Sequence, residues 1–418
     1  MNTFDINVKY HLHSDHLCSS FAYHPYPDSL SSLREYKAGI DSQIVCSSSQ
    51  SSEVVLYNIS NEQNIRKFKF SGHKGGIMSV AYSKQGDIMG SVGEDKSIKL
   101  WNPNKMAGDH THIPCAHTGT IRGIDFSTDV FLTCSDDKTI KLWNLRKTNE
   151  KKAFISSLVG HSNWVRSCKF SPEGNLSASG GDDGTVRLWD ISTGSTLVKY
   201  APFQSQTFAR SSIHKVDFHS SGSLLAAATN VGSKVLIFDL RTDSQICAFQ
   251  EELEQTQISS CGISFHPSNS NQIITRSPKY VTLWDIRSKK KLSQVETECN
   301  NDQVTPFCLY SPCGNQFATN SDYGLTVWNL NPSNCDKRCQ PKKVKSKETN
   351  SSHCKTDLVE DIKSEDTLEM LKSTIEKITS QLDLLTETVI AIERRLSIQE
   401  RKVDMLLDPT AFTTNVSK

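Results

Sequence analysis

An aromatic side chain closes a short run of strand-forming residues seven times along this chain. The spacing between successive copies is 42 to 49 residues, and each run ends in an aromatic residue followed by Asn or Asp. The seven aromatic residues are Tyr57, Trp101, Trp143, Trp189, Phe238, Trp284 and Trp328. A period in the forties predicts a repeat of small antiparallel sheets that bury their apolar faces only by stacking on one another. Seven such units predict one closed ring.

The fourth unit shows the pattern within a repeat most clearly. Alternating apolar residues from Trp164 to Phe170 precede a turn with Pro172 and Gly174, and a second turn at Asp182-Asp183-Gly184 leads into the run that ends at Trp189. Alternation bounded by Pro, Gly and Asp is typical of half-buried hairpin strands. We therefore predict an all-β fold, a seven-bladed WD-repeat β-propeller over residues 1–330, followed by a linker and a C-terminal coiled-coil α-helix.

The two ends of the predicted ring raise separate expectations. Residues 1–12 should supply the outer strand of the last blade, because this closes the ring and removes exposed sheet edges. Blade 1 has an oversized gap before Tyr57, so residues Pro27 to Ile40 are expected to form a surface loop or short helix. A turn of the form aromatic-Ser/His-x-x-Gly recurs at Tyr82 to Gly86, Phe218 to Gly222 and Tyr310 to Gly314.

Blades 2, 3 and 4 share a set of four polar or aromatic residues at matched offsets. An imidazole can bridge a buried Asp to a hydroxyl, while the indole N–H finds an acceptor. Acid–base catalysis is the alternative for His and Asp, but a set repeated in three blades favours a structural hydrogen-bond chain. The sets are His73, Ser91, Asp95, Trp101; His117, Thr133, Asp137, Trp143; and His161, Ser179, Asp183, Trp189. Blades 1, 5, 6 and 7 lack the set and should be looser or held differently.

The amino-acid composition limits the cellular compartment and the classes of partner that we expect. The net charge is +1, so any charge-driven contact must be local and a nucleic-acid partner is not expected. The 13 Cys are scattered singly, which is typical of a reducing compartment. The amino terminus lacks an apolar signal region and no stretch reaches 18 apolar residues, so we expect a cytosolic protein with no membrane partner.

The strand pattern stops at Asn331, and residues 331–366 have the composition of a flexible charged linker. Its basic run from Pro341 to Lys347 is either solvated tether, a nuclear signal or an anchor for an acidic surface such as microtubules or nucleic acid. Cys and His residues near 335–354 lack the paired spacing of a zinc site, so no metal is expected. Residues 408–418 are predicted to be a disordered tail.

Residues 367–407 carry a heptad pattern that predicts a coiled-coil helix. Apolar residues keep 3-4 spacing over more than five heptads, with Gln399 as the one polar seam residue, and this favours self-association over a helix that folds back on the propeller. The predicted oligomerisation residues are Leu368, Leu371, Ile375, Ile378, Leu382, Leu385, Val389, Ile392, Leu396, Val403 and Leu406.

No phosphate-binding loop, zinc-protease helix or nucleophile elbow occurs, so we predict a scaffold that is not an enzyme and has no cofactor or small-molecule substrate. Its partner-binding face should lie where residues entering each blade meet the turn between the second and third strands. By matched position the face residues are Gly76, Met78, Glu94, Thr120, Arg122, Asp136, Trp164, Arg166, Asp182, Ser212 and His214. Trp164 is the first choice for an anchor, because it is the one Trp outside the closing position, although a local core role has similar weight.

Two segments together resemble a known family. The run Gly160-His161-Ser162-Asn163-Trp164-Val165-Arg166 with Lys169 to Gly174, and the tail from Gln381 to Val389 that continues to Glu400, look like the "proteome of centriole" (POC) WD-repeat proteins. The resemblance implies a scaffold of centrioles and basal bodies in the cytoplasmic cytoskeleton, which binds tubulin in the microtubule triplet wall and other centriolar proteins. It further implies support of centriole stability and cilium assembly, with homo-oligomerisation through the tail.

Two other functions fit particular motifs. The run from Val281 to Arg287 has the WD-x-Arg pattern of substrate receptors of cullin-type ubiquitin ligases, and Asp239-Leu240-Arg241 nearly repeats it. The basic linker fits a nuclear RNA-processing or chromatin scaffold.

Overall fold

The fold was analysed on a computed structural model, in which the placed residues are 4–14, 16–25, 42–61, 64–103, 110–148, 153–202, 212–230, 233–250, 261–297, 305–322 and 324–332. The predicted loop or helix at Pro27 to Ile40, and the linker, heptad segment and tail beyond residue 332, lie outside these ranges. Their structures therefore stay predictions. In the described ranges, no helix is long and apolar enough to cross a membrane.

All regular structure in the described residues is β-strand. The strands of the first half are β1 (Phe4–His13), β2 (Ser20–Tyr23), β3 (Ser42–Ser47), β4 (Glu53–Asn61), β5 (Asn64–Ser71), β6 (Ile77–Tyr82), β7 (Met89–Gly93), β8 (Ile98–Trp101), β9 (His110–Ile113), β10 (Ile121–Phe126), β11 (Val130–Ser135), β12 (Thr139–Asn144) and β13 (Phe154–Val159). Those of the second half are β14 (Val165–Phe170), β15 (Leu176–Gly181), β16 (Val186–Asp190), β17 (Thr196–Tyr200), β18 (Ile213–Phe218), β19 (Leu224–Thr229), β20 (Val235–Asp239), β21 (Ser244–Phe249), β22 (Gly262–Phe265), β23 (Gln272–Arg276), β24 (Tyr280–Asp285), β25 (Lys290–Glu296), β26 (Cys308–Tyr310), β27 (Gln316–Ser321) and β28 (Gly324–Pro332).

These strands form seven antiparallel sheets of four strands, which are the blades of the predicted propeller. Blade 1 is β2 to β5, and each following group of four strands makes the next blade up to β22 to β25 in blade 6. The seven closing aromatic residues all lie on the third strand of their blade. The prediction of a seven-bladed all-β WD-repeat propeller is confirmed.

Blade 7 is built from both ends of the propeller segment. Its strand order is β1-β28-β27-β26, and β1 pairs antiparallel with β28 from Phe4 opposite Pro332 to His13 opposite Gly324. The predicted seam is therefore confirmed. Because Phe4 and Asp5 pair with Pro332 and Asn331, β28 continues two residues beyond the predicted end of the strand pattern.

The hydrophobic core lies between the blades. Seven clusters of buried residues occur in the described residues, one at each blade junction. At the junction that closes the ring, Leu12 and Leu325 of blade 7 pack in one cluster with Phe21 and Tyr57 of blade 1. Each blade thus buries both faces against its neighbours, which is why a blade needs the whole ring for stability.

The turns between the first and second strands match in four blades. Gly174 has φ of +83° and donates its N–H to the carbonyl of Ser171 at 2.9 Å, and Gly86, Gly222 and Gly314 make the corresponding bond at the same distance. A positive φ of this size favours glycine. The recurring turn predicted from sequence is present in each of these blades.

Candidate partner-binding face

The four-residue sets of blades 2, 3 and 4 form the same hydrogen-bond chain. In blade 3, His117 Nδ1 lies 2.8 Å from Asp137 Oδ2 and His117 Nε2 lies 2.8 Å from Thr133 Oγ1. Trp143 Nε1 donates to that same Thr133 oxygen at 2.9 Å. Since the hydroxyl accepts from the indole, its own proton is free for His117 Nε2, and the imidazole then donates from Nδ1 to Asp137.

Blades 2 and 4 repeat these distances. The His–Asp separations are 2.8 Å for His73 and Asp95 and 2.9 Å for His161 and Asp183. The His–hydroxyl separations to Ser91 and Ser179 are both 2.7 Å, and Trp101 and Trp189 donate to those hydroxyls at 2.8 Å. All three hydroxyl residues are fully buried.

The three Asp carboxylates stay ionised in the fold. Burial by itself opposes their charge, but hydrogen bonds from the imidazole and from the backbone N–H beside it lower the pKa of Asp95, Asp137 and Asp183 well below the usual range. Burial is also the main reason that the pKa of His117 is lowered, so this imidazole is kept neutral. A neutral His between a hydroxyl and a carboxylate suits a structural chain.

The His–Asp hydrogen-bond chain fixes the turn that carries the acidic face residues. The carboxylates of Asp95, Asp137 and Asp183 accept N–H groups within their own turns and at the blade entrance, for example Thr118 N at 3.1 Å and Thr139 N at 3.1 Å for Asp137. The residue immediately before each of these is a face residue, namely Glu94, Asp136 and Asp182. The buried chain therefore holds the turn, and the turn positions the acid at the face.

Blades 6 and 7 keep only part of this chain. Trp284 donates to Thr275 Oγ1 at 2.9 Å and Trp328 donates to Thr319 Oγ1 at 2.8 Å. In blade 7, Asn320 also accepts the N–H of Phe307 at 2.9 Å and donates to the carbonyl of Thr305 at 2.7 Å. Blade 6 is thus held by the Trp–Thr bond, and blade 7 by that bond and an Asn bridge, a substitution that sequence reasoning did not specify.

The acids at the face hold two arginines on neighbouring blades. Arg122 donates from Nε and Nη2 to Asp136 at 2.9 and 2.7 Å. Arg166 donates in the same way to Asp182 at 2.8 and 2.5 Å. Two-point contacts of this kind fix the planar guanidinium groups in place.

Trp164 lies close to both of these guanidinium groups. Its ring centroid is 4.9 Å from Cζ of Arg166 and 5.9 Å from Cζ of Arg122, which comes from the neighbouring blade. The side chain is nevertheless 42% exposed. An exposed indole that is held rigidly by two fixed cations is suited to act as an anchor for a partner.

The remaining predicted face residues have distinct positions. Met78, Arg122, Arg166 and His214 line the mouth of one cavity along the propeller axis. Burial, followed by the charge of Arg166, lowers the pKa of His214. The others make backbone contacts at the blade entrances: Gly76 N–H to Glu94 at 3.3 Å, Thr120 carbonyl from Asp136 N at 2.9 Å, and Ser212 N–H to Asn230 at 2.8 Å.

The interior of this axial cavity contains charged residues that sequence reasoning missed. Lys169 donates to Asp125 at 2.9 Å, and Asp217 accepts the N–H of Phe265 at 2.9 Å. Lys215 places its ammonium nitrogen 4.0 Å from the ring centroid of Phe307. The signal was a charged residue that stands one or three residues before the aromatic residue at the end of the innermost strand. The sequence alone does not show that these positions face a shared channel.

Comparison with known proteins sets this geometry in a family. Residues 64–102 and 108–144 match the family described as "WD domain, G-beta repeat", and residues 149–332 match "Nucleolar protein 10-like, N-terminal domain". Over 286 residues the chain is 30% identical to the small ribosomal subunit protein RACK1 of Schizosaccharomyces pombe, covering 58% of this chain and 86% of that protein. The chain belongs to the WD-repeat family.

Two other WD-repeat relatives match at lower identity. The ribosome biogenesis protein WDR12 homolog of Arabidopsis thaliana is 25% identical over 292 residues, covering 65% of this chain and 60% of the relative. The serine-threonine kinase receptor-associated protein of Dictyostelium discoideum is 24% identical over 263 residues, covering 62% of this chain and 82% of the relative. The chain therefore spans less than two thirds of the WDR12 homologue.

These findings overturn the centriolar interpretation. One matched family is nucleolar in name, one relative is a ribosome biogenesis protein and another is a kinase receptor-associated protein, so the assignment to POC proteins, the centriole or basal-body location and the binding of tubulin and microtubules were wrong. The blade 4 motif that carried half of the resemblance lies within the WD-repeat fold, and a fold by itself does not identify a function. The predicted homo-oligomer through the heptad segment finds no support in these relatives and is not retained.

The motif behind the ubiquitin-ligase alternative has a structural explanation. In the structure Asp285 accepts the N–H of Arg287 at 3.0 Å, and Asp239 accepts that of Arg241 at 2.9 Å. The Asp-x-Arg motif thus closes a tight turn in both blades, which accounts for its recurrence without a shared partner.

Proposed function

We propose that this chain is a non-catalytic WD-repeat scaffold in ribosome assembly, located in the nucleolus, which binds a protein partner on the face around Trp164. The observation that carries this proposal is the match of residues 149–332 to the nucleolar protein 10-like domain, since that segment contains Trp164, Arg166 and Asp182. Similarity to a ribosome biogenesis protein over 65% of the chain supports it.

The geometry of the face supports binding rather than catalysis. The His and Asp residues that would be catalytic candidates are used inside the blades, with their nitrogens and oxygens satisfied. Among the described residues no group of three or more His, Cys, Asp or Glu is placed to hold a metal ion. What the face offers is a rigid aromatic anchor flanked by fixed charges, a combination enriched at protein interfaces.

The segments after residue 332 are known only from their sequence. Residues 367–407 still predict a helix from their heptad spacing, and this proposal assigns that helix no partner. The basic run from Pro341 to Lys347 fits a nuclear signal, which agrees with a nucleolar location.

The proposal is tested with the tagged full-length protein and its Trp164→Ala variant. We expect nucleolar location and capture of precursor ribosomal particles, with capture reduced at least tenfold by the substitution, because removing a central aromatic anchor typically costs about 2 kcal/mol or more. Leu197→Ala is the matched control, since Leu197 is 51% exposed on β17 of the same blade but lies away from the face. Capture independent of Trp164, or absence from the nucleolus, would refute the proposal.

The similarity to RACK1 favours a second candidate, a resident of the small ribosomal subunit. It rests on 30% identity over 86% of a protein with that name. Gradient fractionation separates the two candidates: an assembly factor sediments with nuclear precursor particles, whereas a resident protein follows mature cytoplasmic subunits.

A further inference from the structure

The innermost strands of the seven blades arrange their side chains in layers around the axial cavity. Successive residues of a strand point to opposite faces. The positions one and three residues before the aromatic residue that ends each innermost strand, such as Phe218 in blade 5, therefore share one side. Three residues before that aromatic residue, blades 3 and 4 carry the small cavity-lining residues Gly123 and Ser167 and blade 6 carries Gly262, whereas blade 5 carries the cavity-lining Lys215. The small neighbours leave room for the lysine to extend into the channel.

The Lys215 side chain extends from blade 5 to Phe307 of blade 7, although blade 6 stands between these two blades in the ring. Its ammonium nitrogen lies 4.0 Å from the centre of the Phe307 ring, a cation–π contact. Gly262 of blade 6 packs against the backbone of Phe307, and a Cβ at position 262 would meet Phe307 Cα at 2.9 Å. A glycine is therefore needed at this point for Phe307 to approach closely enough to hold the ammonium in the channel.

The other cations of the cavity are already paired with carboxylates. Arg122 binds Asp136, Arg166 binds Asp182, and Lys169 binds Asp125. Within the described ranges, no carboxylate lies within ion-pair distance of the Lys215 ammonium. Burial and the nearby charge of Lys169 lower the pKa of Lys215 to about 8, although the charge of Asp217 opposes this shift without forming an ion pair with the ammonium.

We propose that the axial cavity binds an acidic side chain of a protein partner, glutamate or aspartate, inserted through the mouth, with the Lys215 ammonium as its counterion. The inference rests on the proposed function, because the partner that covers Trp164 would insert this side chain. The cavity volume of about 220 Å³ suits one side chain, and it lies below the range of about 300–1,000 Å³ typical of small-molecule sites.

The charge pattern of the mouth favours a peptide over RNA. At the entrance Asp136 and Asp182 neutralise Arg122 and Arg166, so these arginines offer a phosphate backbone no excess positive charge, and Glu94 repels it. A peptide with one acidic residue among neutral or basic ones avoids this repulsion.

The test uses the full-length protein and matched panels of labelled 12-residue peptides. All positions are degenerate except the central one, which is Glu in one panel, Gln in the second and Lys in the third, and a 12-nucleotide oligouridylate serves as the phosphate probe. We expect at least tenfold stronger retention of the Glu panel than of the Gln panel, loss of that preference in Lys215→Met, and no change in Lys199→Met, since Lys199 is exposed on β17.

A charge reversal keeps the test decisive if Lys215→Met folds poorly. Lys215→Glu should prefer the Lys panel over the Glu panel. Equal retention of the Glu and Gln panels, an unchanged preference in Lys215→Met, or oligouridylate binding that depends on Lys215 would overturn the inference. Normal peptide preference in a protein that is absent from the nucleolus would refute the proposed function alone, whereas Trp164-dependent capture without any Glu preference would refute this inference alone.

Discussion

At the residue scale, one hydroxyl per blade connects the core to the binding face. Thr133 accepts the indole N–H of Trp143 and donates to His117, which in turn holds Asp137. Asp137 fixes the turn that places Asp136 against Arg122. The face therefore depends on a buried group that no partner touches.

We predict that Thr133→Val is more destabilising than Thr319→Val. Both hydroxyls are buried and both accept a Trp N–H, but Thr133 alone of the two also bonds a His. The first substitution leaves two buried groups without a partner and should cost about 2–4 kcal/mol, and the second leaves one and should cost about 1–2 kcal/mol. Guanidinium unfolding midpoints measure the difference. Equal losses would show that the His link adds no stability.

At the element scale, innermost strands are joined by carboxylates that cross from one blade to the next. Asp125 on β10 accepts the N–H of Phe170 at 2.8 Å and the ammonium of Lys169 on β14. Burial opposes the charge of Lys169, but Asp125 and Asp217 raise the pKa of this lysine above its ordinary value. The bridge adds a polar connection to the apolar junction between blades 3 and 4.

We predict that Asp125→Asn lowers the free energy of unfolding by about 1–3 kcal/mol, because it removes the ion pair at a mostly buried carboxylate. Asp129→Asn is the control, since its ion pair with Arg146 has side chains 54% and 78% exposed, and its effect should stay within about 0.5 kcal/mol. Chemical denaturation of both variants provides the measurement. A loss at Asp129 as large as that at Asp125 would contradict the assignment of a junction role.

At the scale of the whole molecule, closure joins the two ends of the ring through β1. Leu12 is 2% exposed in the cluster that links blades 7 and 1, whereas Val8 on the same strand is 45% exposed. One strand thus combines a buried and an exposed position at the single seam.

We predict that Leu12→Ala lowers the free energy of unfolding by about 2–4 kcal/mol and broadens the transition, because the cavity weakens the junction that closes the ring. Val8→Ala should change it by less than about 0.5 kcal/mol. Thermal unfolding followed by circular dichroism distinguishes these results. A sharp, unshifted transition in Leu12→Ala would mean that closure does not limit stability.

The function of the whole molecule was the part that the sequence pattern misassigned. Gly160 and His161 serve the internal structure of the blade, and Trp164 and Arg166 form a face whose motif does not name its partner, so the likeness of this segment to centriolar proteins did not identify one. The comparisons across residues 149–332 and across most of the ring overturned that assignment.

The sequence by itself determined the seven blades, the seam, the matched turns and the residue sets in blades 2 to 4, because each of these is encoded by local spacing and by turn residues with fixed backbone demands. The tertiary structure alone decided that Arg122 and Arg166 share Trp164, that Lys215 faces Phe307, and that Asp125 meets Lys169. Apart from the contact of Arg166 with Trp164 inside blade 4, these contacts join different blades, about 40 to 90 residues apart in sequence, and their distances are set by the curvature of the closed ring rather than by any local period.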